Sequence, residues 1–189
     1  MKKFECKEAF TSALTSRRNN PYAFSLYKIK EALSLLEMMN DEIGRIAFFD
    51  KKPTLCLLHC TSDDMFDYLS SLPIHVAEIM GSSVLPAIDG LVGDGVPQAK
   101  VHQIKKDSQN RITALVDWCD EVYEKVKHNP KFVQRHIKSW GHPVTSIVLA
   151  AVDIIECILY DVDRCLEIDA DDVDDNQIFF GVQLNNLIL

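Results

Sequence analysis

The sequence predicts an all-α fold, a single-domain bundle of six to seven helices over residues 1–189, on two observations. The first is the stretch from Pro143 to Leu166, where apolar residues recur at alternating steps of four and three and so share one helical face: Val144, Val148, Ala151, Ile155, Ile158, Val162 and Cys165. No charged residue occurs there before Asp153, which predicts a central helix whose first half is buried nearly all round. The second is size, because a chain of 189 residues can remove about 70% of its unfolded surface from water.

Two helices are predicted in the N-terminal quarter. Apolar residues from Phe4 to Leu14 indicate a short first helix that stops before the Asn-Asn-Pro sequence at 19–21. Asn20 then caps a second helix, with Pro21 at its first position, where the missing N–H costs nothing. The apolar spacing carries this helix to about Ala47.

The segment 46–60 is ambiguous. Two apolar runs, 46–49 and 54–58, could pair as a short β-hairpin at 46–58 across the turn that ends in Pro53, or the second run could be a helical turn. After it, Ser62 is a good N-cap for a short helix with Met65, Phe66 and Leu69 on its buried side.

Prolines and glycines divide the middle of the chain. Pro73 is predicted to open a new helix, and Pro86 is a candidate position for a kink in it. Glycines at 90, 93 and 95 predict the loosest loop of the chain, and the place for any lid or hinge. A helix of about five turns is expected over Ile112 to Val126, followed by a short helix over Phe132 to Trp140.

Acidic residues are concentrated in the C-terminal quarter. The net charge is −8, and residues 139–189 contain one Lys or Arg against ten Asp and Glu. We expect a solvated acidic linker at 169–176 and an apolar tail at 178–189 that folds back onto the domain. Such a surface repels phosphates, which disfavours duplex nucleic acid and anionic membranes and favours a basic protein partner. The candidate binding residues in the linker are Asp169, Asp171, Asp172, Asp174 and Asp175.

Cysteine usage and hydropathy predict a cytoplasmic protein. The six cysteines lie mostly inside apolar helical patterns, as expected of reduced core thiols. No apolar run reaches the roughly 20 residues that span a bilayer, and the N-terminus has lysines without an apolar segment behind them. No cofactor is predicted.

Two pairs of carboxylates give one enzymatic alternative. Glu121 and Glu124 are three apart on one predicted helix, and Asp153 and Glu156 are three apart on the central helix. If these helices pack antiparallel, the four could converge on Mg²⁺, which prefers oxygen ligands. The spacing resembles the paired-carboxylate motif of the all-α NTP pyrophosphohydrolases, ExxE followed by ExxD, although the second pair here has the reverse order.

A second alternative comes from an arginine and a histidine. Arg135-His136-Ile-Lys-Ser-Trp-Gly-His142 resembles the Arg-x(4–6)-His signature of HEPN ribonucleases, compact helical proteins that cleave RNA without a metal. The resemblance implies proton transfer by His142 and phosphate stabilisation by Arg135. Residues 125–152 contain several lysines and no acid, which suits RNA.

The function predicted from sequence is protein binding without catalysis. Neither enzymatic pattern exceeds what 28 acids, or a single Arg–His pair, give by chance in a chain of this length. We therefore expect an acidic helical interaction module, such as an adaptor, an inhibitor or an immunity-type protein. A small hydrolase of nucleotides or RNA is the alternative. The sequence predicts neither the partner nor the oligomeric state.

Overall fold

The computed structural model describes residues 5–17, 25–48, 62–128 and 143–185, with side chains for 5–15, 25–43, 67–128 and 143–167. These residues are almost entirely helical and contain no strand. The first two helices are α1, Glu5–Arg17, and α2, Ser25–Phe48. The predicted end of α2 near Ala47 is confirmed, and residues 46–48, the start of the alternative hairpin, are helical. The rest of that segment, 49–60, lies outside the described residues.

Ser62 to Asp94 form one continuous helical segment, here called the inner helix. It consists of α3 (Ser62–Ile79), a π-helical turn (Met80–Val84), α4 (Leu85–Asp89) and a 3₁₀ turn (Gly90–Asp94). It packs against all four of the other described helices, α1, α2, α5 (Gln98–Lys127) and α6 (Pro143–Asn185). The apolar pattern predicts the central position for the stretch 143–166. The structure gives it to the inner helix.

Pro73 does not open a new helix, contrary to the prediction. It lies inside α3 and is buried between Leu72 and Val76, which are both fully buried. A proline inside a helix removes one backbone hydrogen bond, and here the continuous buried face on both sides of it keeps the helix together. Pro86 is the second residue of α4, in the first turn after the π-helical turn, a change of hydrogen-bond pattern that accommodates its missing N–H.

The glycine-rich segment after the inner helix is an ordered helix cap rather than a loose loop. Gly95 adopts φ of +97°, and its N–H donates to the carbonyl of Val92 at 3.2 Å. The N–H of Val96 donates to the carbonyl of Leu91 at 3.1 Å, and both of these side chains are buried. This is the Schellman pattern, in which a left-handed glycine and an apolar contact close a helix. It therefore supplies no lid or hinge.

The last two described helices are both longer than predicted. Helix α5 begins directly after Pro97 and runs for 30 residues, because Val101, Ile104 and Ser108 extend its buried face before Ile112. Helix α6 begins at Pro143 as expected and continues to Asn185, so the backbone of the acidic stretch 169–175 is helical. The side chains of that stretch lie outside the described residues.

Contacts at one end of the molecule show that α2, the inner helix, α5 and α6 form an up-down-up-down bundle. The N–H of Leu26 donates to Asp94 Oδ2 at 2.8 Å, which places the start of α2 beside the end of the inner helix. A Cβ added to Gly95 would lie 3.6 Å from Leu166, and α5 starts three residues later. Successive helices therefore run antiparallel, as in up-down-up-down four-helix bundles. Helix α1 packs across α3, the π turn and α5.

The predicted number of helices is not confirmed by the described residues. The described residues contain five long helical segments, because the helices expected after Ser62 and Pro73 are one. The short helix expected over 132–140 lies outside the described residues. The predicted all-α class is confirmed, and the count of six to seven helices is not.

Two described segments, Asp67–Asp94 and Pro143–Glu167, are long and apolar enough to cross a membrane, whereas the sequence analysis expected none. In each segment, 50% of the most apolar stretch of 18 residues is buried inside the fold. Core helices of soluble proteins have the same length and composition, so this finding is weak evidence for a membrane span.

Candidate functional site: the outer face of α6

The exposed side of α6 combines acidic and apolar side chains in a single stripe. The acids and the tyrosine on the side of α6 opposite its buried face are exposed, and Leu149 extends the stripe toward the start of the helix. We call this set the α6 outer face: Leu149, Asp153, Glu156, Tyr160, Asp163 and Glu167. Steps of three and four place these residues on the same side of the helix. The exposure of Leu149 corrects the expectation that the first half of the helix is buried all round.

Among the α6 side chains that the structure describes, 143–167, Tyr160 is the most exposed large apolar one. It is 63% exposed, and the guanidinium of Arg164, one turn later, lies 5.8 Å from its ring centroid. The four carboxylates of the α6 outer face form no ion pair or side-chain hydrogen bond with any described residue. An exposed aromatic ring among carboxylates offers a partner both contact area and charge, two features of protein-binding surfaces.

A different polar cluster lies where α1 meets α5, and we call it the α1–α5 junction. Asp120 is its centre. This carboxylate is buried and accepts the N–H of Cys6 at 2.8 Å and that of Lys7 at 3.3 Å. These are the second and third residues of α1, whose N–H groups have no partner inside their own helix, and a negative charge there also favours the helix dipole. Asp120 therefore acts as a cap supplied by another helix.

Ion pairs border this cap. Lys7 contacts Asp117 at 2.7 Å, and Lys127 contacts Glu5 at 2.7 Å while lying 5.1 Å from the ring centroid of Tyr123. Burial and a hydrogen bond to Glu5 raise the pKa of Tyr123. These contacts fix α1 on α5.

The two thiols of the junction are protonated at neutral pH. Burial raises the pKa of Cys119 to about 12. Burial, followed by the proximity of Cys119 and Asp120, raises the pKa of Cys6 even further. Because the thiolate is the reactive form, neither cysteine is poised as a nucleophile. The junction is a structural cluster, and we assign it no chemistry.

The four carboxylates of the magnesium hypothesis do not come together. Helices α5 and α6 pack antiparallel, with a groove of about 270 Å³ between them. Ile104 of α5 and Asp161 of α6 both line this groove, so these two residues lie at about the same level along the helix pair. From that level, Glu121 is about 25 Å along α5, while Glu156 is only about 8 Å along α6. Among the described residues, no group of three or more His, Cys, Asp or Glu side chains could hold a metal ion.

The other predicted site residues lie outside what the structure describes. Arg135 and His142 fall in 129–142, so the ribonuclease hypothesis stays a prediction. The same holds for the side chains of Asp169, Asp171, Asp172, Asp174 and Asp175. Their backbone continues the helix that carries the α6 outer face.

Sequence reasoning missed Asp120. The available signal was an acid one residue after the buried Cys119, on the side of α5 that also carries Val116 and Tyr123. Sequence alone gives no sign of which helix end such an acid caps, because its partners are 113 and 114 residues away.

Comparisons with known proteins assign no family. No protein-family model matches the chain, and neither a curated protein nor a solved structure matches it significantly.

Proposed function

We propose that this protein is a non-enzymatic cytoplasmic interaction module that binds a basic surface of another protein. The observation that carries the proposal is the α6 outer face, where exposed acids surround Tyr160. The five acids at 169–175 extend the same helix and would add to its negative potential. Adaptors, inhibitors and immunity-type proteins use surfaces of this kind.

Charge complementarity identifies the chemistry of the partner. A negative surface attracts Lys- and Arg-rich patches, accelerates their encounter and disfavours phosphate-bearing partners. The exposed ring of Tyr160 would supply a rigid contact near the centre of the surface, the position where aromatic hot spots concentrate. Carboxylates around such a contact contribute mainly to association rate and salt dependence.

Affinity capture from the cells that make the protein tests this proposal, with three baits in parallel. The first bait is wild type. The second neutralises the α6 outer face with Asp153→Asn, Glu156→Gln and Asp163→Asn. The third is a control with the same change in net charge on other exposed acids, Asp67→Asn, Glu78→Gln and Glu121→Gln. Bound proteins are quantified across washes of increasing salt.

We expect a basic protein near one-to-one stoichiometry on wild type and control, eluting at moderate salt and reduced on the second bait. A fourth bait, with Asp169, Asp171, Asp172, Asp174 and Asp175 changed to Asn, measures the contribution of the acidic extension. An equal loss of bound protein on the second bait and on the control would show a non-specific charge effect. That outcome, or binding unchanged on both the second and the fourth baits, would exclude the proposal.

A further inference from the structure

The groove between the start of α5 and α6 has an apolar floor and charged walls, and we call it the α5–α6 groove. Its floor contains the buried side chain of Ile104 and the half-buried thiol of Cys165. The rest of its lining is Pro97, Lys100, Gln103, Asp107, Asp161 and Arg164. Its volume of about 270 Å³ lies just below the roughly 300 Å³ at which pockets for drug-sized ligands begin. The groove therefore suits a small molecule.

The charged side chains of the groove are not neutralised by their neighbours. Lys100, Asp161 and Arg164 form no ion pair or side-chain hydrogen bond with any described residue. Asp107 accepts one hydrogen bond, at 2.8 Å from the side-chain amide of Gln103. The groove therefore keeps two positive and two negative charges that are able to contact a ligand.

These charges are ordered along the groove. On α5, Lys100 and Asp107 are two turns apart and lie on the same side of the helix. On α6, Arg164 comes one turn after Asp161, which lies at about the level of Ile104. Because the helices are antiparallel, Arg164 is close to the level of Lys100, and Asp161 and Asp107 lie roughly 6 Å and 10 Å further from the start of α5. Both walls are therefore positive near the start of α5 and negative further along.

We propose that the α5–α6 groove binds a small zwitterion of the amino-acid type. The carboxylate of the ligand contacts Lys100 and Arg164, at the end where the dipole of α5 also favours an anion. Its ammonium group contacts Asp161 and Asp107, and its carbon atoms lie over Ile104. An ion of one sign contacts one end of the groove favourably and is repelled by the other.

Binding in this groove is weak, because its four charged side chains are exposed and each exposed ion contact contributes little. We expect a dissociation constant on the order of 1 mM. The proposal is independent of the α6 outer face, since Asp161 lies about 100° round the helix from Tyr160. Failure of one proposal leaves the other standing.

Protection of Cys165 from alkylation tests the proposal, with Cys157 as the internal control. Cys157 is exposed, lies two turns before Cys165 on α6 and does not line the groove. N-ethylmaleimide at pH 7 modifies both thiols of the native protein, and peptide mass spectrometry over time gives the two rates. With about 20 mM β-alanine, we expect Cys165 to react at least roughly fivefold more slowly and Cys157 at an unchanged rate.

Two molecules with a single charge test the requirement for a zwitterion. Propionate lacks the ammonium group of β-alanine, and ethylammonium lacks its carboxylate. At equal ionic strength, each should need at least about a fivefold higher concentration than β-alanine for half-maximal protection of Cys165.

Substitutions at the two ends of the groove locate the site. Lys100→Gln and Asp161→Asn should each raise the concentration of β-alanine for half-maximal protection about threefold, because each removes one ion contact. The matched controls are Lys125→Gln, 25 residues further along α5, and Asp67→Asn on α3, which are both exposed and outside the groove. They should leave this concentration unchanged.

Three results would overturn the proposal. Modification of Cys165 that stays as fast as without ligand, or slows only as much as that of Cys157, up to about 100 mM β-alanine would exclude binding in the groove. Equal protection by propionate or by ethylammonium would show that an ion of one sign suffices. The same half-maximal concentration in wild type, Lys100→Gln and Asp161→Asn would place the ligand elsewhere.

Discussion

The α1–α5 junction and the α6 outer face are built from the same kinds of residue and differ in what surrounds them. Each has a tyrosine and several carboxylates, with cysteine inside the junction and beside the α6 outer face. In the junction, Asp120 is buried and bonded to backbone N–H groups of α1. On α6, Asp153 is exposed and forms no ion pair or side-chain hydrogen bond with a described residue. Residue type therefore does not separate a structural cluster from a surface available for binding, whereas burial and hydrogen bonding do.

Thiol reactivity should show the largest difference between the two regions. Cys119 is fully buried and its pKa is about 12, while Cys157 is exposed beside the α6 outer face. In native conditions near pH 8, we expect iodoacetamide to modify Cys157 at least roughly 100-fold faster than Cys119. Peptide mass spectrometry over time measures both rates in one sample.

In denaturant the two thiols should react at similar rates, which is the control for intrinsic peptide effects. Rapid native modification of Cys119 would mean that the junction opens easily, and it would remove the contrast between the regions.

Removing the remote cap should have the largest effect on stability. Asp120→Ala leaves two N–H groups of α1 without their acceptor in a buried site, so we expect a loss of roughly 3 kcal/mol in the free energy of unfolding. Asp153→Ala on α6 should change it by less than about 0.5 kcal/mol. Urea unfolding at pH 7 compares the two.

Asp120→Asn is the intermediate variant, because an amide oxygen can still accept one of the two bonds. A similar loss for Asp120→Ala and Asp153→Ala would contradict the assignment of a structural role to the junction alone.

The next comparison is between two glycines, Gly81, where α1 approaches the inner helix closely, and Gly93, which has open space beside it. A Cβ added to Gly81 would lie 2.6 Å from the backbone oxygen of Phe10, so Gly81→Ala must push α1 away. We expect a loss of about 2 kcal/mol in unfolding free energy. Gly93→Ala is the control, since a Cβ there meets nothing within 4 Å, and it should be neutral within about 0.5 kcal/mol.

Thermal melts of the two glycine variants and wild type measure both changes in stability. Equal effects of the two glycine substitutions would indicate that α1 is not held in the position described.

Over the interval from pH 9 to 10, alkaline pH should produce the smallest of these effects. The pKa of the Cys119 thiol is raised from 9.0 to about 12 on folding, so between these values only the unfolded chain loses the proton. The contribution of this thiol to the free energy of unfolding is complete below pH 9. It is lost as the pH rises toward 12, by about 1.4 kcal/mol per pH unit. Cys119→Ala should therefore show a shallower fall in stability than wild type between pH 9 and 10.

Cys157→Ala, on α6, should retain the wild-type dependence on pH. Parallel curves for wild type and Cys119→Ala would contradict burial of this thiol.

The amino-acid sequence by itself determined the helical class, the presence of α1 and α2, the end of α2 and the buried face of α6. Apolar spacing reports which side of a helix loses contact with water, and it does so over three to seven residues. Local reasoning failed at Pro73. The proline predicted a helix start, whereas the buried face on both sides of it keeps α3 continuous.

Only the tertiary structure decided which helix is innermost, that Asp120 and Asp94 cap the starts of α1 and α2, and that Glu121 and Glu156 lie far apart. Each of these depends on the register between helices distant in the chain. Helix register is fixed by packing many side chains at once, so no local pattern in the sequence contains it.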